Sequence, residues 1–102
     1  MKYDKIVRDK IPEIIREQGK VSVTYVAVPE EAYQRLKSKL EEEITEFQQS
    51  DNPTELADLL EVIYALADHL GLNKEKLEEI RRKKYLERGG FKERIVLKEV
   101  LD

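Results

Sequence analysis

Two pairs of acidic residues stand at a spacing that suits metal chemistry. Glu43 and Glu46 are three residues apart, and Glu55 and Asp58 repeat that spacing a short distance along the chain. On an α-helix this spacing places both members of a pair on one face. Because carboxylate oxygens are the ligands that Mg²⁺ and Mn²⁺ prefer, the four residues predict a Mg²⁺ site, with Mn²⁺ as a substitute, that can bridge to phosphates.

The distribution of charge favours the same interpretation. The 102-residue chain has a net charge of only −3, yet residues 40–73 contain nine acids and no Lys or Arg. Residues 74–94 contain nine Lys or Arg and five Glu. Crowded carboxylates repel one another, so a divalent metal is expected to compensate them and the basic residues to suit phosphate. The alternative is two oppositely charged faces that meet within one fold or between two copies.

Helices are predicted to position these residues. Asp9 is predicted to cap a helix that runs to about Glu17, with Pro12 in its first turn. A second helix is predicted from Pro29 to about Gln49. Thr54 is predicted to cap a third helix, to about Leu70, and Asn73 a fourth, from Lys74 to about Arg88. Two further segments, residues 21–28 and 94–100, are rich in β-branched residues or alternate loosely, which is typical of strands. We therefore expect one mainly α domain over residues 1–102, with a central helical hairpin and room for a small two-stranded β ribbon.

Helical periodicity separates inward-facing from outward-facing acids. Glu43 falls between Leu40 and Phe47 on the apolar stripe of its helix, and Glu46 falls at the edge of that stripe. Glu41 and Glu42 are expected to face water. If the two long helices pack antiparallel, the four predicted metal ligands converge near the hairpin turn.

Ordinary structural roles can explain the same acids. Glu43 could pair with Lys39 one turn earlier, although that would not explain Glu46. Glu is also a good helix former, so an acidic helix face is often simply solvated.

Basic residues near both ends are candidates for binding phosphate. They are Arg8, Lys10, Lys84 and Arg88. Gly89-Gly90 follows Arg88 and can bring backbone N–H groups close to a ligand, but an ordinary helix stop has the same sequence. For Arg8 and Lys10 the alternative is exposed charge near a helix start.

Several function classes are disfavoured. The chain has no cysteine, so a thiol nucleophile and thiolate metal sites are excluded. Its net negative charge and the absence of a reader motif argue against nucleic acid as a partner. Apolar runs are too short to span a bilayer, and the charged start MKYDKIVRDK lacks an apolar signal region, so we expect a cytoplasmic protein without a membrane partner.

Three blocks together resemble the MazG-like, all-α NTP pyrophosphatase superfamily, in particular a house-cleaning subgroup related to phosphoribosyl-ATP pyrophosphohydrolase. The blocks are the acidic pairs within EExxE (42–46) and ExxD (55–58), the opening YDKIVRDKIP (3–12) and the closing KKxxERGGF (83–91). The interval between the acidic pairs is shorter than is usual there, which requires a tight hairpin turn.

The resemblance implies a Mg²⁺-dependent hydrolysis of nucleoside triphosphates to monophosphate and pyrophosphate, in the service of nucleotide-pool house-cleaning. It implies that Glu43, Glu46, Glu55 and Asp58 hold the metal, and that the chain forms a homodimer or a higher even oligomer. Glu46, at the stripe edge, is our choice of general base, with Glu43 and Glu55 not excluded. Two alternatives stay open: a phosphoribosyl-ATP pyrophosphohydrolase, and a non-catalytic helical dimerisation module.

Overall fold

A computed structural model describes residues 3–102, and this part of the chain contains four helices: α1 (Ile11–Glu17), α2 (Pro29–Ser50), α3 (Pro53–His69) and α4 (Lys74–Arg88). The expected mainly α fold is confirmed. Helix α3 lies at the centre, packed extensively against α2 and to a smaller extent against α4. Within residues 3–102, no helix is both long enough and apolar enough to cross a membrane.

A two-residue turn joins α2 to α3 and makes the tight hairpin that the sequence predicts. Asp51 adopts a left-handed conformation (φ 53°), and its N–H donates to the Phe47 carbonyl at 2.8 Å. The side chain of Asn52 then accepts from the N–H of Thr54 at 3.0 Å. Asn52 is therefore the cap of α3, and the prediction of Thr54 was wrong because the preceding amide oxygen reaches the same free N–H groups.

Helix α1 begins differently from the prediction, whereas α4 follows it. Lys10 is the residue before α1 and makes no side-chain capping bond, so the assignment of Asp9 as cap was wrong. The N–H of Ile11 donates instead to the Arg8 carbonyl at 3.0 Å in the preceding turn. Asn73 caps α4 as expected, by accepting from the N–H of Lys76 at 2.8 Å.

The small two-stranded β ribbon considered from the sequence does not form in the described part of the chain. Residues 21–28 and 94–100 adopt no strand in the part of the chain that the structure describes. Strand propensity alone does not make a strand, because an isolated segment gains no ladder hydrogen bonds and no packed face. Each segment lacks such a partner within this single chain.

Apolar burial is sparse along the hairpin. Among the described residues, only Val62, Ala67 and Glu43 are buried, and each remains 6–7% exposed. The radius of gyration is 18.1 Å, against about 13 Å for a compact domain of 100 residues. The single chain is thus elongated, and much of the apolar stripe of its hairpin remains in contact with water.

Candidate functional site

Three of the four predicted metal ligands come together beside the hairpin turn. Glu43 on α2 and Glu55 and Asp58 on α3 each contribute one carboxylate oxygen to a group whose atoms all lie within 4.8 Å of one another. We call this group the acidic cluster. Its geometry follows from the antiparallel packing of α2 on α3 and from the i,i+3 spacing of Glu55 and Asp58.

Glu43 is the most unusual member of the acidic cluster because it is almost completely enclosed. Only 6% of the residue is exposed. Its Oε2 atom is buried without a hydrogen-bond partner, while Oε1 lies 3.6 Å from the Lys39 ammonium. The inward orientation agrees with the prediction from helical periodicity. The ion pair between Glu43 and Lys39, which the sequence offered as an alternative role for Glu43, also forms. One oxygen of a buried carboxylate nevertheless remains unsatisfied, which is costly.

The fourth predicted ligand, Glu46, is not part of the acidic cluster. Its side chain is exposed on α2. It lies close enough for its negative charge to raise the pKa of both Glu43 and Glu55. Glu46 therefore stands beside the three clustered carboxylate oxygens without contributing one of its own.

Burial and mutual repulsion disfavour the charged form of the acidic cluster. Burial is the main cause that raises the pKa of Glu43, followed by the charge of Glu46, and Lys39 offsets only part of this. For Glu55 too, burial raises the pKa most, followed by the charges of Glu46 and Asp58. A divalent cation would remove both penalties, because it favours the deprotonated carboxylates that it binds.

Arg8, which the sequence singled out for phosphate, contacts the acidic cluster directly. Its guanidinium donates to Asp58 at 2.8 Å, with both side chains about half exposed. A substrate phosphate drawn to a metal in the cluster would therefore meet an arginine that is already at its rim. Although residues 40–73 contain no Lys or Arg, residues 4–8 cross from α2 to α3 and bring distant cations to these acids.

A second group of charges, which we call the paired flank, consists of Lys5, Lys39 and Glu42. Glu42 lies 2.8 Å from the Lys5 ammonium and 3.1 Å from that of Lys39. Both cations lower the pKa of Glu42, with the hydrogen bond from Lys5 as the largest cause. The prediction that Glu42 faces water was wrong: it is half-buried under these partners.

The paired flank borders a groove of about 260 Å³ between residues 4–6 and α2. Lys5 was missed as a site residue, and Lys39 was considered only as an ion-pair partner of Glu43, through its i,i+4 relation to that residue. No local signal places Lys5 against α2. Arg35 holds the other side of the groove, since it donates to the carbonyl of Asp4 at 2.9 Å and to Glu31 at 2.8 Å.

The remaining phosphate candidates lie outside the acidic cluster. Lys10, Lys84 and Arg88 form no ion pair within residues 3–102. Helix α4, which carries Lys84 and Arg88, packs on α3 and not on α2. Gly89 ends α4 with φ 80° and donates to the Tyr85 carbonyl at 2.7 Å, the geometry of a helix stop. These three cations are thus available to a ligand but are not gathered around the cluster by one chain.

Comparisons with protein-family models, with curated proteins and with solved structures found no match to this chain. The functional interpretation therefore rests on the chemistry of the site.

Proposed function

We propose that this protein is a Mg²⁺-dependent nucleoside triphosphate pyrophosphohydrolase that releases a nucleoside monophosphate and pyrophosphate. The observation that carries the proposal is the acidic cluster, with its three carboxylate oxygens within 4.8 Å and the unsatisfied Oε2 of Glu43. Sanitising the nucleotide pool of the cytoplasm is the role that we propose for it.

The residues present fit a hard divalent cation. The cluster offers only oxygen ligands from two rigid helices, and Mg²⁺ and Mn²⁺ are bound in this way while they keep waters and substrate phosphates as further ligands. Once bound, the ion would orient the triphosphate, lower the pKa of a ligated water and neutralise charge on the leaving group. Glu43, Glu55 and Asp58 are the residues that we propose to hold it, with Glu46 as a nearby fourth acid.

Protein groups around the cluster would then handle the proton and the phosphate charge. Glu46 is exposed beside Glu43 and Glu55, so it is our candidate for the base that accepts a proton from the attacking water. Arg8 would leave Asp58 for a phosphate oxygen, an exchange that costs little because the pair is solvent-exposed. Lys10, Lys84 and Arg88 remain proposed phosphate ligands, with those on α4 able to serve a neighbouring copy.

A second copy of the chain is the partner that we propose. Ile44 on α2 and Leu56 and Leu60 on α3 are large apolar residues that remain more than one-third exposed. They belong to the stripes that a helical hairpin normally buries. Two hairpins packed on each other would bury these stripes in a four-helix bundle, giving a homodimer or a higher even oligomer.

Pyrophosphate release from a panel of nucleoside triphosphates tests the proposed activity. The panel should include phosphoribosyl-ATP, and each substrate should be assayed with Mg²⁺ and with chelator. We expect Mg²⁺-dependent turnover that Glu43→Gln abolishes. The matched control is Glu41→Gln, which alters an exposed acid two residues away and should retain activity. Preference for phosphoribosyl-ATP would establish the alternative substrate, and no turnover on any substrate would overturn the enzyme proposal.

One observation favours a second candidate function, a non-catalytic dimerisation module. The ion pairs of Arg8 with Asp58 and of Lys39 with Glu43 partly neutralise the acidic cluster without any metal. A module of this kind needs no turnover and no specific Mg²⁺ binding. A stable protein that dimerises but whose melting temperature does not respond to Mg²⁺ would support it.

A further inference from the structure

Two segments that form neither helix nor strand expose apolar side chains to an unusual degree. In the first, residues 21–28, Val23 is 95% and Val26 is 97% exposed. In the second, residues 94–100, Ile95 and Val96 are each 83% exposed. We call these the first and second arms.

Most backbone groups of both arms lack backbone partners as well; the exceptions lie at the arm ends, where the Val28 carbonyl accepts from the N–H of Ala32 and the N–H of Arg94 donates to the Phe91 carbonyl. No N–H group of residues 21–28 or 95–100 donates to a backbone carbonyl in the described part of the chain. The first arm has five β-branched residues among its eight, a composition that favours a pleated and half-buried surface. An exposed apolar strand with free N–H and C=O groups is a template for pairing with another strand.

The solvent-accessible surface of the chain is larger than that of a compact monomer of the same mass. The chain exposes 9641 Å² for a mass of 12.0 kDa. A folded monomer of that mass exposes about 6,000 Å². An excess of about 3,600 Å² in each copy amounts to about 7,200 Å² for two copies, which is at or above the total area of roughly 2,000–5,000 Å² or more that obligate complexes bury. The surface therefore matches one subunit of a stable assembly more closely than a finished monomer.

We propose that the first arm of one copy pairs with the second arm of a second copy, forming a β ribbon across the dimer. The inference rests on the pairing of two copies put forward above and specifies a surface that the hairpin stripes do not include. Each copy carries both arms, so in a two-fold symmetric dimer all four arms find a partner and form two identical ribbons. Exchange of a segment between identical copies makes the same contacts that one chain would make with itself, at low cost.

The absence of cysteine from the chain gives a clean test by crosslinking. Two differently tagged single-cysteine variants, Val23→Cys and Val96→Cys, are co-expressed, purified together and treated with a short bismaleimide. We expect a covalent heterodimer joined through positions 23 and 96. The matched control pairs Val23→Cys with Leu86→Cys, an exposed site on α4 outside both arms, and should give at least fivefold less product.

Further measurements separate failure of the ribbon from failure of dimerisation. Light scattering on the unmodified protein should report a dimer or a larger even assembly. A dimer without the crosslink between positions 23 and 96 would overturn the ribbon while leaving the proposed dimer intact. A monomer in light scattering would overturn both. In the double variant Val23→Cys/Val96→Cys at high dilution, a crosslink formed within one chain would show that the arms pair intramolecularly, which also contradicts the exchange.

Discussion

Glu42 and Glu43 are neighbours in sequence, yet they lie in regions with opposite electrostatics. On the paired flank, Glu42 contacts two lysines, and its pKa is lowered. In the acidic cluster, Glu43 is buried among other acids with one oxygen unsatisfied, and its pKa is raised. A rotation of about 100° around one helix separates these two environments.

The two regions differ in how far the chain itself neutralises their carboxylates. Charges on the paired flank are satisfied by the chain itself, so they stabilise the fold without any bound group. Charges in the acidic cluster are only partly satisfied by Lys39 and Arg8, so the folded protein carries a cost there that a cation would remove. Proteins often accept such a cost where they bind or react.

The largest effect on the rate is expected from Glu46, which lies beside the acidic cluster and is our candidate for the general base. If Glu46 is the general base, Glu46→Gln should lower the rate of pyrophosphate release by about 10²–10⁴-fold. Its Mn²⁺ affinity should stay close to that of the unmodified protein, because Glu46 lies outside the acidic cluster. Glu61→Gln, at an exposed position on α3, is the control. A parallel loss of Mn²⁺ affinity in Glu46→Gln would instead make Glu46 a ligand.

Stability should respond in opposite directions when the two neighbouring acids are neutralised. Without metal, Glu43→Gln should raise the free energy of unfolding by about 1 kcal/mol, because it removes a buried charge and supplies an amide donor to nearby carboxylates. Glu42→Gln should lower it by at most about 1 kcal/mol, since two partly exposed ion pairs are lost. Urea denaturation of both variants at the same pH measures these two changes in the free energy of unfolding. Changes of the same sign would remove the distinction between the regions.

The pH dependence of stability should also differ between the regions. The raised pKa values of Glu43 and Glu55 mean that the folded state binds protons at these residues more tightly than the unfolded state does. The resulting contribution to stability is present below the unfolded pKa of 4.5 and is lost as the pH rises through the raised pKa values. For Glu42 the lowered pKa gives a contribution that is present above 4.5 and is lost as the pH falls through the lowered value.

Urea denaturation without metal, from pH about 3 to about 7, checks these signs because it spans both sides of the unfolded value. Glu43→Gln should reduce any loss of stability with rising pH, and Glu42→Gln should reduce the loss at the acidic end. Mg²⁺ should protect the unmodified protein increasingly as the pH rises, because it competes with protons for the same carboxylates. A Glu43→Gln profile parallel to that of the unmodified protein would contradict the buried position of Glu43.

The smallest effect is expected from Arg8, which is the cation at the rim of the acidic cluster. Arg8→Gln should change the free energy of unfolding by roughly 0.5 kcal/mol or less, since the pair with Asp58 is exposed. It should raise Mn²⁺ affinity by about twofold, equal to roughly 0.4 kcal/mol, because a competing cation is lost. Arg16→Gln on α1 serves as the control. A loss of Mn²⁺ affinity would show that Arg8 organises the cluster.

Local rules predicted the helices and most of the acidic cluster. Helical periodicity directed Glu43 inward, and the i,i+3 spacing brought Glu55 and Asp58 together, because both depend only on neighbours along one helix. The cap of α3 was misplaced by two residues because Asn52 and Thr54 can serve the same free N–H groups, and only the loop geometry decides between them.

Non-local contacts were beyond the same reasoning. The contacts of Lys5 with Glu42 and of Arg8 with Asp58 join residues 37 and 50 positions apart, and no periodic pattern encodes them. Residues 21–28 have the composition of a strand, but a strand also needs a partner that one copy does not supply.

Direct measurement of Mn²⁺ binding tests the central claim, that the hairpin carboxylates form a metal site. Calorimetric titration of the unmodified protein should show saturable binding, which Mg²⁺ displaces. Asp58→Asn should weaken the affinity at least about tenfold, given that loss of a mere supporting contact already costs about 10–100-fold. Asp68→Asn, an exposed acid on the same helix outside the acidic cluster, should bind like the unmodified protein. No saturable binding, or equal affinities for the two variants, would contradict the metal site.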